Sequence, residues 1–135
     1  MANGTIAFDT LTTSDSVKSG TEKSIDTSYI FNGSAKLLAH SNQSSNEIEY
    51  GFNTSSYTDS ATGNYILGVT NVFSNVVNIV STAASQAQST NNSCTEYMAE
   101  GSSTASAIKF ITIENGSAKD QPFNHNTIHG DLAWQ

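Results

Sequence analysis

The residues most able to do chemistry are few in this chain, and their spacing narrows what they can do. His125 and His129 form a His-x-x-x-His pattern. On a helix that spacing brings two imidazoles to one metal ion. On a strand the two share a face but stand about 13 Å apart, because each residue rises about 3.3 Å. Pro122 and Gly130 flank the segment and disfavour a helix, and no acidic residue between the two completes a zinc-protease helix. Both histidines are therefore expected on a strand, at a surface or an interface, with no metal. Glu47 and Glu49 read as solvated charges on one strand face, and Glu96 and Glu100 would pair only on a helix. A sugar-hydrolysing carboxylate pair stands about 5–9 Å apart in a cleft, a separation that sequence spacing does not supply. The chain has no Gly-x-Ser-x-Gly elbow, no phosphate-cradling glycine loop and no dinucleotide fingerprint. No catalytic residue, metal or cofactor is expected, and the chain does not read as an enzyme.

Binding is the alternative to catalysis, and aromatic side chains are its usual anchors. Tyr29, Phe31, Tyr50, Phe52, Tyr65, Phe73 and Phe110 fall at or beside strand positions and are expected in the core. Tyr57 and Tyr97 border loop-like segments. These two are the candidate ligand contacts, placed to stack on a sugar ring. Trp134 either docks into the core or anchors a subunit contact. Cys94 is the only cysteine, so no intramolecular disulfide forms, and it is expected as a small buried or half-buried hydrophobe.

The elements that position these residues read as β throughout. Short runs rich in Ile, Val, Phe, Tyr and Thr alternate with turn residues, as in a small sandwich or barrel. Strands are expected at 5–8, 28–31, 35–40, 47–52, 54–58, 65–70, 76–82, 95–99, 107–114 and 127–134. Turns are expected at Asn32-Gly33, at 61–64 and at Asn115-Gly116, where glycine supplies the positive φ of a tight reversal. Leu37 and Ala39 share one face, with Lys36, Leu38 and His40 on the other. Ile108 and Phe110 oppose Lys109, Ile111 and Ile113. A strand apolar on both faces is central in a sandwich or covered by another subunit. Residues 10–24 are polar and read as a long loop or attachment arm, and 83–93 as an exposed loop or short helix. The expected fold class is all-β: one antiparallel β-sandwich or jelly-roll-like domain over 1–135, with a strand face that another subunit could cover.

Composition sets the outer limits. Serine, threonine, asparagine and glutamine together outnumber the apolar residues, arginine is absent, and the net charge is -7. Nucleic-acid phosphates need clustered basic side chains, which this chain lacks. An anionic membrane surface would repel it, and no apolar run approaches the roughly 20 residues of a membrane span. The amino terminus carries no basic and apolar leader pattern, and with one cysteine the chain suits assembly in a reducing cytoplasm. Apolar residues still make up 36% and cluster into runs, unlike a disordered chain.

Three stretches carry a resemblance. The first is Phe8-Asp9-Thr10-Leu11-Thr12-Thr13-Ser14 together with the run from Lys23 to Lys36 that contains Asn32-Gly33-Ser34-Ala35-Lys36. The second is the run from Gly51 to Tyr65, with Phe52-Asn53-Thr54-Ser55-Ser56-Tyr57-Thr58-Asp59 at its start. The third is His129-Gly130-Asp131-Leu132-Ala133-Trp134. Together they resemble a family of short virion proteins of marine tailed bacteriophages, described as tail-fibre or particle-surface proteins. Gly51 stands where that pattern has Ser, Leu37-Leu38 stands where an aromatic is usual, and 83–104 matches nothing in it. The resemblance implies a structural protein of the virion, with a tail-fibre or receptor-contacting role first and capsid decoration as the alternative. Its partners would be other virion proteins, further copies in a homotrimer, and a host surface glycan or receptor. A free carbohydrate-binding module is the alternative of another class.

Overall fold

The computed structural model describes residues 10–12, 24–26, 33–86 and 92–133. The chain divides into two units, 1–34 and 35–135. In the first, β1 (Thr10–Thr12) pairs antiparallel with β2 (Ser24–Asp26), Leu11 opposite Ile25. The two ends of the expected arm thus form a ribbon. The expected strands at 5–8 and 28–31, Asn32 of the expected hairpin, and Trp134 lie outside the described residues.

The second unit is all-β. Its strands are β3 (Leu37–Asn42), β4 (Glu47–Phe52), β5 (Thr54–Ala61), β6 (Asn64–Val69), β7 (Val80–Gln86), β8 (Cys94–Met98), β9 (Ala107–Glu114), β10 (Ser117–Ala118) and β11 (Phe123–His129). One antiparallel sheet runs β4-β3-β11-β7. The other runs β8-β9-β6-β5, with the short β10 beside the end of β9. They pack face to face as a two-sheet sandwich. The apolar core draws Leu37, Ala39 and Ile128 from the first sheet and Tyr65, Leu67, Val69, Ile108 and Phe110 from the second.

Alternation in the sequence accounts for this packing. In β9, Ile108, Phe110, Thr112 and Glu114 point inward while Lys109, Ile111 and Ile113 lie half-covered on the outer face. In β3, Leu37, Ala39 and Ser41 are buried and Leu38 and His40 face out. The rings of Tyr57, Tyr65 and Phe110 stack in series, with centroids 5.3 Å and 5.4 Å apart.

Polar residues close one end of the core. Gln43 Oε1 accepts from the Gln121 backbone N–H at 3.0 Å and lies 2.9 Å from the Thr112 hydroxyl. Glu114 is buried and accepts from Gln121 Nε2 at 2.7 Å, from Lys119 Nζ at 3.0 Å and from Asn92. These donors, Gln121 first and Lys119 next, hold the Glu114 carboxyl below the usual carboxylate range against the opposing pull of burial. A depressed folded value means that this stabilisation is present above the unfolded pKa and disappears as pH falls through the folded one.

Turn chemistry fixes the registers. Asn115 and Gly116 take φ of 51° and 82° and join β9 to β10, as a tight two-residue hairpin requires. Gly63, at φ 67°, reverses β5 into β6. A Cβ at Gly63 would lie 2.6 Å from both the Lys119 nitrogen and the Thr112 carbonyl oxygen. Gly63→Ala therefore combines left-handed backbone strain with a clash against backbone. Its expected cost is about 2–4 kcal/mol, read by urea denaturation; a loss below 0.5 kcal/mol would contradict this packing.

Several strand boundaries differ from expectation, most of all around β7 and β11. The apolar run 76–82 was expected as a strand, but Val76–Asn78 forms a 3-10 turn. Asn75 Oδ1 caps it by accepting from the Val77 N–H at 3.1 Å. The strand begins at Val80 and continues to Gln86, so 83–86, expected in a loop, belongs to β7. Residues 87–91 lie outside the described residues. The last strand is Phe123–His129 rather than 127–134.

Candidate functional site

The outer face of the β4-β3-β11-β7 sheet carries an exposed aromatic band. Register sets its rows. Phe52 lies beside Leu38, which pairs with Thr127, which pairs with Thr82. Tyr50 lies beside His40, which pairs with His125, which pairs with Ala84. Phe123 is two residues before His125, and His129 pairs with Val80. Tyr50 is 62% exposed, Phe52 56% and Phe123 38%. All three histidines of the chain stand on this face.

Tyr50 and Phe52 were expected in the core, and the reason they are not is a β-bulge. Ser41 pairs with Ile48, but its neighbour His40 pairs with Tyr50, so Glu49 is the extra residue. An inserted residue flips the faces beyond it. Ile48 packs on the core, while Tyr50 and Phe52, in the same two-residue rhythm, turn to solvent.

The imidazoles hold the middle of the band. His40 and His125 stack with ring centroids 4.3 Å apart and planes inclined 13°. His40 Nδ1 lies 3.4 Å from Glu49 Oε2, so the bulged residue steadies the ring beside Tyr50. Phe123 lies 6.1 Å from His40 on centroids. Among the described residues no group of three or more His, Cys, Asp or Glu could hold a metal. Chemically this face offers flat rings, imidazole nitrogens and the hydroxyls of Thr82 and Thr127, groups able to stack and to hydrogen-bond.

The two tyrosines singled out from sequence lie elsewhere. Tyr57 is half-buried on β5 with its ring stacked on Tyr65. Burial, then the charges of Asp59, Asp120 and Glu96, push its hydroxyl well above the usual tyrosine value. Tyr97 on β8 is 43% exposed. It lines a cleft of about 580 Å³ between β7 and β8, together with Glu96, Met98, Glu100, Ile79 and Ala83. The structure does not bring Tyr57 and Tyr97 together with the aromatic band.

Glu96 had no signal in the sequence beyond its charge. It points into the sandwich, where its Oε1 accepts from Asn126 Nδ2 at 2.9 Å and from the Tyr65 hydroxyl. That hydroxyl also lies 2.9 Å from Asn126 Oδ1, so one proton faces two acceptors. Burial pushes the Glu96 carboxyl above the usual range, against the lowering effect of these two hydrogen bonds. The folded state thus holds a proton that the unfolded chain releases near pH 4.3. Relative to Glu96→Gln, wild-type unfolding free energy should fall as pH rises from about 4.3 through the raised folded value, then level off. Parallel urea curves from pH 4 to 9 test this, and a difference that grows with pH would contradict it.

No protein-family model, curated protein or solved structure matches the chain. In the described residues no helix is long and apolar enough to cross a membrane.

Proposed function

We propose that this chain is a structural protein displayed on the surface of a bacteriophage particle, where it contacts a host surface glycan through the outer face of the β4-β3-β11-β7 sheet. The observation that carries the reading is the ring band formed by Tyr50, Phe52 and Phe123 around the His40–His125 stack. Contiguous exposed apolar surface on a soluble domain marks an interaction site. Rings bordered by hydrogen-bonding groups, the Glu49 carboxylate among them, suit the apolar face and hydroxyl rim of a sugar. The resemblance of the segments around Lys36, Phe52 and Asp131 to marine phage particle proteins supports the virion setting, and a tail-fibre position comes first within it.

On the opposite sheet, Ile66, Ile111 and Ile113 are half-covered outer-face residues. In this reading they meet neighbouring copies in a homotrimer, leaving the aromatic band free. Immunogold labelling of particles purified from cells that make the protein tests the placement. Label at the tail supports host contact; label spread over the head favours capsid decoration. A native protein that labels no particle would overturn the virion reading. The side-by-side pair Tyr50 and Phe52 would then favour the second reading, a free carbohydrate-binding module.

A further inference from the structure

The polar end of the core holds four buried atoms whose hydrogen-bonding capacity is unused. Ser41, Gln43, Gln121 and Asn124 are at most 2% exposed. Ser41 Oγ, Gln43 Nε2, Gln121 Oε1 and Asn124 Oδ1 have no protein partner. Buried polar groups in folded proteins are almost always satisfied, by protein or by ordered water. The partner at the other end of each amide fixes which atom is which. Gln43 Oε1 accepts from the Gln121 backbone N–H, which can only donate, so the free Nε2 is a donor. Gln121 Nε2 donates to the Glu114 carboxylate at 2.7 Å, so the free Oε1 is an acceptor. Asn124 Nδ2 donates to the Gln121 carbonyl oxygen at 3.3 Å, so the free Oδ1 is an acceptor. The Ser41 hydroxyl serves as either. The four residues share one neighbourhood. Gln43 Oε1 lies 3.0 Å from the Gln121 nitrogen and 3.4 Å from Asn124 Nδ2. Ser41 stands directly opposite Asn124 on the inward face, and the row continues to Ser85 on β7. Side chains this short, between packed sheets about 10 Å apart, leave room for a solvent molecule.

We propose that this end of the core is a binding site for one internal water molecule, which donates to Gln121 Oε1 and Asn124 Oδ1 and accepts from Gln43 Nε2 and the Ser41 hydroxyl. Two acceptors, one donor and one hydroxyl match the two donors and two lone pairs of water. A cation would face the Gln43 amide protons, and an anion would face two carbonyl oxygens, so neither suits the set. The water ties β3 and β11 to Gln121, and through Gln121 to Glu114 on β9. The site lies inside the sandwich and does not depend on the sheet face assigned to glycan contact.

The test is a crystal structure of the full chain at about 1.5 Å or better, from crystals soaked in sodium chloride and, separately, in rubidium chloride. One water oxygen should lie about 2.7–3.2 Å from at least three of the four atoms, with no anomalous signal from rubidium at that position. Ser41→Ala, which removes one partner and adds no bulk, should keep the water on the three amides. Ser41→Val, which fills the position of the hydroxyl with methyl groups, should expel it. In solution, the Gln43 side-chain amide protons of the isotope-labelled chain should show a cross-relaxation peak to water with the sign of a long-lived contact. That peak should persist in Ser41→Ala and weaken at least fivefold in Ser41→Val. The Ser41→Ala arm decides the matter even where Ser41→Val does not fold. Four atoms paired directly with one another, an anomalous rubidium peak among them, or no water peak at Gln43 in the folded wild type would overturn the proposal.

Discussion

Phe110→Ala should remove about 3–5 kcal/mol of stability. Phe110 is fully buried in the middle of β9 and stacks on Tyr65, itself fully buried and stacked on Tyr57. Truncation loses the transfer free energy of the ring and opens a cavity that flanking sheets, pinned by their ladders, cannot collapse to fill. It also loosens Tyr65, whose hydroxyl serves the Glu96–Asn126 pair. A domain of this size has about 5–15 kcal/mol in total, so the melting temperature should fall by about 15 °C. The internal control is Phe52→Ala. It deletes the same side chain from a site 56% exposed, and its cost should stay near 0.5 kcal/mol. Similar losses at the two positions would contradict the assignment of Phe110 to the core and Phe52 to the surface.

The second large effect is on binding. Tyr50→Ala/Phe52→Ala should weaken attachment to the glycan ligand at least thirtyfold, equivalent to about 2 kcal/mol or more, with an unchanged melting temperature. Both rings stand on the outer face of an edge strand, so nothing in the core collapses when they go. Glycan-array binding of wild type and variant, with thermal denaturation as the folding check, reads the two quantities separately. Retained binding by a folded variant would remove the band from the contact.

These two residues also mark where sequence reasoning succeeded and where it stopped. The division of 35–40 and 107–113 into two faces was legible because an unbroken two-residue rhythm carries it, but with apolar residues on both faces the rhythm did not say which turns inward; Leu37, Ala39, Ile108 and Phe110 do. The Asn115-Gly116 and Gly63 reversals were legible because only residues tolerant of positive φ fit there. The same rhythm misled at Tyr50 and Phe52. A bulge depends on the partner strand, and no local signal announces that Glu49 is the extra residue. Glu96 was invisible for a related reason. Its burial is set by Tyr65, 31 residues away, and Asn126, 30 residues away. Asn75 shortened the next apolar run by capping a 3-10 turn, which moved the strand start to Val80.

The adsorption rate of phage particles carrying Tyr50→Ala/Phe52→Ala tests the central claim most directly, measured beside wild-type particles on the same host cells. If this face makes the host contact, the rate constant should drop at least tenfold while particle yield and the amount of this protein per particle stay the same. Equal adsorption by particles that carry the folded variant would contradict the account.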